Sequence, residues 1–168
     1  CGYVQGVKAA NSNATIIQNM TGTTPAAWND PVKGTELTKA QISQGADVVY
    51  AAAGGTGVGV LQAAADADIL SIGVDANQNY MHPGKVLTSM LKRVDLAVYN
   101  AFSEGESLTT GFNVMGLAED GVGYALDEHN ESLVSAKMVS TLEAEKAKIV
   151  SGQIKVHDYM SDNSCPVK

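Results

Sequence analysis

Cations are scarce in this sequence. Its 168 residues carry 11 Lys+Arg against 18 Asp+Glu, a formal net charge of −7, and the pI lies near 4.8. A nucleic-acid backbone needs clustered cations to neutralise its phosphates, so nucleic acid is excluded as a partner. An anionic membrane surface is disfavoured on the same ground. Long apolar runs are missing as well: residues 46–53 and 58–61 fall far short of the roughly 20 residues that span a bilayer. The three histidines, His82, His129 and His157, stand apart without i,i+4 spacing, and no Cys-x-x-Cys pair occurs, so a zinc site has little support, and the leading expectation is a protein without a cofactor. G-x-S-x-G, H-E-x-x-H and Walker patterns are all absent. The neighbouring carboxylates Glu104/Glu106 and Glu119/Asp120 read as surface groups rather than an acid/base pair.

Only two cysteines are present, Cys1 and Cys165, almost at the two ends. In an oxidising compartment they could close nearly the whole chain through one disulfide, because the termini of a domain often lie close together. Two unrelated thiols are the plainer alternative, and the residues alone leave both open. The chain opens on Cys1-Gly2-Tyr3 without Met, basic region or apolar leader, so localisation is not read directly.

What the sequence does have is 45% hydrophobic residues and 17 glycines, enough to bury a core. Residues 2–10 read as a helix, followed by a β-branched run at 14–20 and a Thr/Gly/Pro-rich loop at 21–31 that carries the sole tryptophan, Trp28. A helix is expected over 32–44, with Gly45 as its stop. Near-continuous apolar strands are expected at 47–53, 69–74 and 86–91, with helices through 60–65 and from 94 to 103. A further strand is placed around 114–118, a helix over about 131–150 and a strand-like tail at 154–156. Uninterrupted apolar strands separated by helices are the pattern of a parallel sheet with helices on both faces, so the fold class is α/β.

In an open parallel sheet, ligands sit beyond the carboxyl ends of the strands. The groups there are the loop at 21–30, Gly54-Gly55-Thr56-Gly57, Asp75 with Asn77 and Gln78, and Lys92. Asp75 ends a buried strand and could accept two hydrogen bonds from a vicinal diol; an Asx turn opening the next loop is the alternative. Lys92 could donate to the same sugar, or be an ordinary solvated lysine. Trp28 could stack on a planar ring, an interaction worth roughly 1–3 kcal/mol for a base; its polar Pro/Asn/Asp surroundings weigh against a core role. The run Gly54 to Gly59 departs from G-x-G-x-x-G, having Val60 where the last glycine would fall. A small α/β enzyme using a nucleotide cofactor through that turn is thus a competing function, and a tight strand-to-helix turn is the structural alternative.

Several ordered blocks carry a resemblance. Asp47-Val48-Val49-Tyr50-Ala51-Ala52-Ala53-Gly54-Gly55-Thr56-Gly57-Val58-Gly59-Val60, Ile72-Gly73-Val74-Asp75-Ala76-Asn77-Gln78 and Val86-Leu87-Thr88-Ser89-Met90-Leu91-Lys92 resemble the basic membrane protein family. These are substrate-binding proteins of ABC transporters, of the purine-nucleoside-receptor type. Trp28-Asn29-Asp30-Pro31, Gly121-Val122-Gly123-Tyr124 and Ile149-Val150-Ser151-Gly152-Gln153-Ile154-Lys155-Val156 follow in the family's order. The resemblance implies a type I periplasmic-binding-protein fold, with two α/β lobes and a nucleoside held in the cleft between them. By position, Trp28 stands where the family usually has a Phe on the purine ring, Gly54 lies at the turn that approaches the ligand, and Asp75 and Lys92 match residues that bind the ribose hydroxyls.

Family members are roughly twice this length, and the register places Cys1 inside the family pattern. The resemblance therefore implies a partial chain: residues 1–93 as a second-lobe core, 94–110 as a segment crossing to the first lobe, and 111–168 as a return strand and C-terminal helices. It also implies a permease partner, a periplasmic or other extracytoplasmic location, and lipid anchoring in a full-length parent. Cys1 is not read as the lipidated cysteine of such a parent, because the register makes it internal. Half a cleft is expected to bind a nucleoside weakly or not at all, and the former lobe interface to promote self-association.

Overall fold

The structure, a computed structural model, describes residues 1–167. Along the chain run α1 (Gly2–Ala10), α2 (Pro31–Ser43), β1 (Val48–Tyr50), α3 (Thr56–Asp66), β2 (Leu70–Asp75), β3 (Val86–Lys92), α4 (Val94–Glu104), β4 (Val122–Tyr124) and α5 (Ala136–Val150). Two compact units emerge, one of residues 19–139 and one of residues 1–18 with the described residues from 140 onward.

The larger unit is built on a four-stranded sheet of order β1-β2-β3-β4. β1, β2 and β3 are mutually parallel, and β4 runs antiparallel to β3. Parallel neighbours need a crossover, supplied between β1 and β2 by α3, which packs on both, while α2 packs along α3. This is the mixed α/β arrangement with a mainly parallel sheet that the apolar runs predict. Val49, Ala51, Val60 and Ala64 form its core cluster, flanked by Ala46 and Ile69. Leu61 and Val86 are wholly buried, each contributing about 1.5–3 kcal/mol relative to exposure.

Local chemistry sets the element ends. The Asp30 carboxylate accepts the Lys33 N–H at 2.9 Å and Pro31 occupies the first helical position, so α2 begins with a side-chain cap and a residue whose missing N–H is no loss there. Gly45, at φ +94, closes the same helix. Between α2 and α3 the backbones nearly touch: a Cβ on Gly59 would lie 1.9 Å from the Pro31 carbonyl oxygen, so only glycine fits.

Four expectations need correction. The 47–53 run pairs only over Val48–Tyr50, because the chain then bends toward Gly54. The strand placed around 114–118 is not formed: Val114 is exposed, and residues 116–121 are a tight turn closed by Gly121 N–H to the Gly116 carbonyl at 2.9 Å. The strand comes later, at Val122–Tyr124, where Met90 faces Tyr124 in the ladder. α5 starts at Ala136 rather than 131, since Asp127 and Asn130 hold the preceding residues in turns. The 154–156 tail makes no ladder.

α4 is unlike α2 and α3, which both bury residues. It has no buried residue, and Val94, Val98, Tyr99 and Phe102 are all exposed.

In the smaller unit Cys1 and Cys165 are joined by a disulfide, which settles the open alternative against two unrelated thiols. The Gln5 amide reinforces the tie: its Nε2 donates to the His157 carbonyl at 3.2 Å and its Oε1 accepts the His157 N–H at 3.0 Å. A backbone bond from Ile154 N–H to the Lys148 carbonyl at 3.0 Å turns the chain after α5. Among the described residues no helix is long and apolar enough to cross a membrane.

Candidate functional site

β2 and β3 lie side by side and parallel, so their last residues emerge at the same edge. Asp75, the end of β2, faces Leu91 in the ladder; Lys92 follows Leu91 and ends β3. The Asp75 carboxylate and Lys92 Nζ meet at 2.8 Å, and hydrogen bonding to that carboxylate pushes the Lys92 ammonium above the ordinary lysine range. Both side chains are more than half exposed, so the contact contributes little to stability, about 0–1 kcal/mol. It leaves an acceptor pair and a donor together at a strand end, facing solvent. Beside them Arg93 and Asp95 form a bidentate pair, Nε to Oδ1 and Nη2 to Oδ2 both at 2.9 Å. With Asn77 and Leu91 these four residues border an open cleft of about 420 Å³.

Asp75 also has an unusual backbone. Its φ is +70, and the Ala76 N–H donates to the Val74 carbonyl at 2.9 Å. A bond spanning two residues around a positive φ is the uncommon form of the γ-turn, which is strained for a residue with a side chain. A conformation of this kind costs of order 1–3 kcal/mol and persists only where its surroundings enforce it. The Asx-turn alternative considered for Asp75 is taken instead by Asn77, whose Oδ1 accepts the Asn79 N–H at 2.9 Å.

Trp28 and Gly54 form a second group, at the end of β1. Gly54 has φ +55, and a Cβ there would stand 3.0 Å from the Trp28 carbonyl oxygen and 3.5 Å from the indole Cε3. The glycine thus serves both the turn and the close approach of the tryptophan. Trp28 ends a 3₁₀ helix, Pro25–Trp28, and its side chain is not core: the residue is 60% exposed. Buried Thr56 fixes the segment to α3, donating to the Ala27 carbonyl and accepting the Asp30 N–H, both at 2.7 Å. The Asn29 side chain fills the place a Cβ on Gly55 would need, 2.8 Å away, so the glycine run serves close packing at a strand-to-helix turn.

All four residues singled out from the sequence therefore stand at the carboxyl end of the parallel strands, as two contacting pairs. What sequence reasoning missed is the polar scaffold behind them. Wholly buried Asn79 bridges Ser89 of β3, accepting its hydroxyl at 2.9 Å, and Asp127, to which it donates at 3.1 Å. Asn77 donates to the same Asp127 oxygen at 2.6 Å. The Asn77 amide, the His129 N–H and Asn79 hold the Asp127 carboxyl below the ordinary aspartate range. Buried Asn130 donates to the Leu87 and Ala125 carbonyls at 2.9 and 3.0 Å. A Ser inside the apolar run of β3 was the one signal available, and nothing in the sequence links it to residues 127–130. The group Asp127, Glu128 and His129 offers ligand atoms close together, but Asp127 is engaged within the protein.

Residues 1–159 match the family described as ABC transporter substrate-binding protein PnrA-like. Basic membrane protein D of Borreliella burgdorferi is 35% identical over 161 residues, covering 92% of this chain and 46% of that protein. A CD4+ T-cell-stimulating antigen of Listeria monocytogenes is also 35% identical, covering 92% and 47%. The chain thus spans about half the length of these curated relatives. Among solved structures, an ABC transporter system solute-binding protein from Aeropyrum pernix superposes with TM-score 0.73 at 28% identity, over 92% of this chain and 51% of that one. A transcriptional activator of the comK gene from Bacillus halodurans reaches TM-score 0.75 at 20% identity, over 98% and 52%, a likeness of fold alone.

Proposed function

Because this chain belongs to the PnrA-like family of ABC transporter substrate-binding proteins, a family of solute binders, we propose that it carries the ribose-binding half of a nucleoside receptor. The observation that carries the reading is the Asp75–Lys92 pair, 2.8 Å apart at the ends of adjacent parallel strands. An ionised carboxylate accepts both hydroxyl protons of a vicinal diol, and the ammonium beside it donates to the hydroxyl oxygens. Such a pair recognises a sugar without a basic surface, in keeping with the net charge of −7. Trp28, exposed and backed by Gly54, supplies a face for the base, which favours a purine for its larger stacking area. The wider indole, in place of the Phe usual in the family, bears on which purine is taken.

The chain spans about half of its relatives, so the rest of the cleft is assigned to a first lobe. Residues 94–110 are read as the segment that crosses to it; exposed Val98, Tyr99 and Phe102 on a helix without buried residues support this. In the intact receptor the nucleoside passes to an ABC permease, which places the site outside the cytoplasm. Lipid anchoring would come from a residue other than Cys1, whose sulfur is held in the disulfide. Light scattering tests the crossing segment: a concentration-dependent dimer lost in Phe102→Glu means that the exposed face takes up a second copy when alone.

The solute reading is tested by ¹⁵N-edited NMR with adenosine, guanosine, inosine and their 2′-deoxy forms. Ribonucleosides are expected to shift Asp75, Lys92 and the Trp28 indole, while free adenine shifts only Trp28 and Gly54. Equal responses to ribo and deoxy forms, or none, overturn it. Isothermal titration should find weak affinity for this chain; submicromolar binding would show that the site is complete in it.

A further inference from the structure

The strain at Asp75 needs a cause, and the structure supplies one at a distance in sequence. Asp75 sits in a positive-φ turn, where its carboxylate meets Lys92. Three connections fix the residues that follow it. Asn77, two residues on, is tied by its Nδ2 to Asp127 Oδ2 at 2.6 Å. Asn79 is tied to the same oxygen at 3.1 Å and to the Ser89 hydroxyl at 2.9 Å. Gln78 closes the loop back onto β2, its Oε1 accepting the Val74 N–H at 2.8 Å and its own N–H donating to Ser89 Oγ at 2.9 Å. Asp127 is the one anchor of this set that lies outside β2, β3 and the loop between them, and its other oxygen accepts the His129 N–H at 2.8 Å.

We infer that Asp127 is a positioning residue of the solute site: through Asn77 and Asn79 it holds Asp75 in the strained turn that presents the carboxylate to Lys92 and to the sugar. A carboxylate suits the task because it is acceptor-only and can take two amide N–H groups on one oxygen and a backbone N–H on the other. Without it, the residues after Asp75 lose their tether, the backbone relaxes to negative φ, and the carboxylate swings away from Lys92. The inference rests on the reading of Asp75 and Lys92 as sugar-binding groups, and its first test needs no solute.

That test is the acylation rate of Lys92 by acetic anhydride at limiting reagent, read by mass spectrometry against Lys39 of α2 as the reference amine. Only the free amine reacts, and pairing with Asp75 keeps Lys92 protonated. Asp75→Asn should raise the relative rate several-fold. Asp127→Ala and the milder Asn77→Ala should raise it similarly, Asp127→Glu less, with the methyl signals of Leu61 and Val86 unchanged. Asn77→Ala removes the exposed bond to Asp127 together with the Asx turn to the Asn79 N–H, leaves the Asp127 bonds to Asn79 and His129 in place, and keeps the test decisive if Asp127→Ala fails to fold. Wild-type Lys92 rates in both Asp127→Ala and Asn77→Ala, alongside a raised rate in Asp75→Asn, would overturn the inference. With adenosine added, Asp127→Ala should lose the response at Asp75 and Lys92 but keep the adenine response at Trp28. If the acylation pattern holds and wild type ignores adenosine, the positioning role stands and the nucleoside reading falls.

Discussion

The Thr56 hydroxyl donates to the Ala27 carbonyl at 2.7 Å and at the same time accepts the Asp30 N–H at 2.7 Å. One buried side chain thereby fixes both flanks of the Trp28 segment to the first turn of α3. The turn that holds Trp28 is set by a residue 28 positions later, on the far side of β1.

Replacing that threonine by valine keeps the shape and removes the hydroxyl. Thr56→Val should cost about 1–3 kcal/mol, because a carbonyl and an N–H lose their partner in a buried place. Urea denaturation gives the cost. The Trp28 indole N–H resonance should move or broaden in the same variant; an unchanged resonance would mean that the 3₁₀ turn stands without the hydroxyl.

Gly59 and Gly6 make opposite predictions from the same substitution. A methyl at Gly59 would meet the Pro31 carbonyl at 1.9 Å and Thr35 Oγ1 at 2.9 Å, whereas nothing lies within 4 Å of one at Gly6. Gly59→Ala should destabilise by at least about 1–3 kcal/mol as α2 and α3 are forced apart. Gly6→Ala, inside α1, should stabilise by up to about 0.5–1 kcal/mol. Thermal melts of the two variants check the contrast.

Much of this was legible beforehand where the signal is local. Helix α1 and strands β2 and β3 fall within a residue or two of the apolar pattern, and the strand ends named Asp75 and Lys92 as neighbours. β4 was misplaced because a three-residue strand containing Gly123 has almost no propensity of its own; its position comes from pairing with β3 and from the Arg93 N–H bond to the Gly121 carbonyl at 2.9 Å. The Asn77, Asn79, Ser89 and Asp127 scaffold was hidden for a related reason, as its members are polar residues of ordinary loops until the fold brings them together across 48 and 50 positions. The positive φ of Asp75 has no sequence mark beyond the tolerance of aspartate for that region.

Asp75→Gly separates backbone cost from chemistry. Glycine takes the positive φ without a Cβ penalty but brings its own entropy to the unfolded chain, so stability should stay within about 1 kcal/mol of wild type. The response to ribonucleosides should nevertheless vanish. A chemical melt paired with NMR titration distinguishes this outcome from a loss of fold.

The pH response follows from two shifts of opposite sign. Asp127 is held below the ordinary aspartate value, chiefly by the Asn77 amide. Its contribution is therefore complete above the unfolded value of about 3.9 and is lost as pH falls through the lower folded value. Lys92 is held above the ordinary lysine value, chiefly by the Asp75 hydrogen bond. Its contribution is complete below the unfolded value of about 10.4 and is lost as pH rises through the folded one. The Asn77 side-chain amide resonances should hold steady from neutrality down to about pH 4 and move only below it. A transition near neutrality would contradict the Asp127 assignment.

Breaking the Cys1–Cys165 disulfide should act on the smaller unit. The chain-entropy model puts the loss at about 5 kcal/mol for a loop this long, and typical losses are about 2–4 kcal/mol. Cys1→Ser with Cys165→Ser should therefore speed amide exchange in α1 and residues 154–165 while leaving exchange at Leu61 and Val86 near wild type. Uniform acceleration in both units would show that they unfold together.

The same bond gives the molecule an unusual covalent connectivity. With residue 1 joined to residue 165, all but the last three residues lie on a closed loop. A single cut anywhere within that loop, in the exposed stretch at 105–114 for instance, leaves both pieces attached. Such a nicked molecule would migrate as one species on a denaturing gel and fall into two only when a reductant is added.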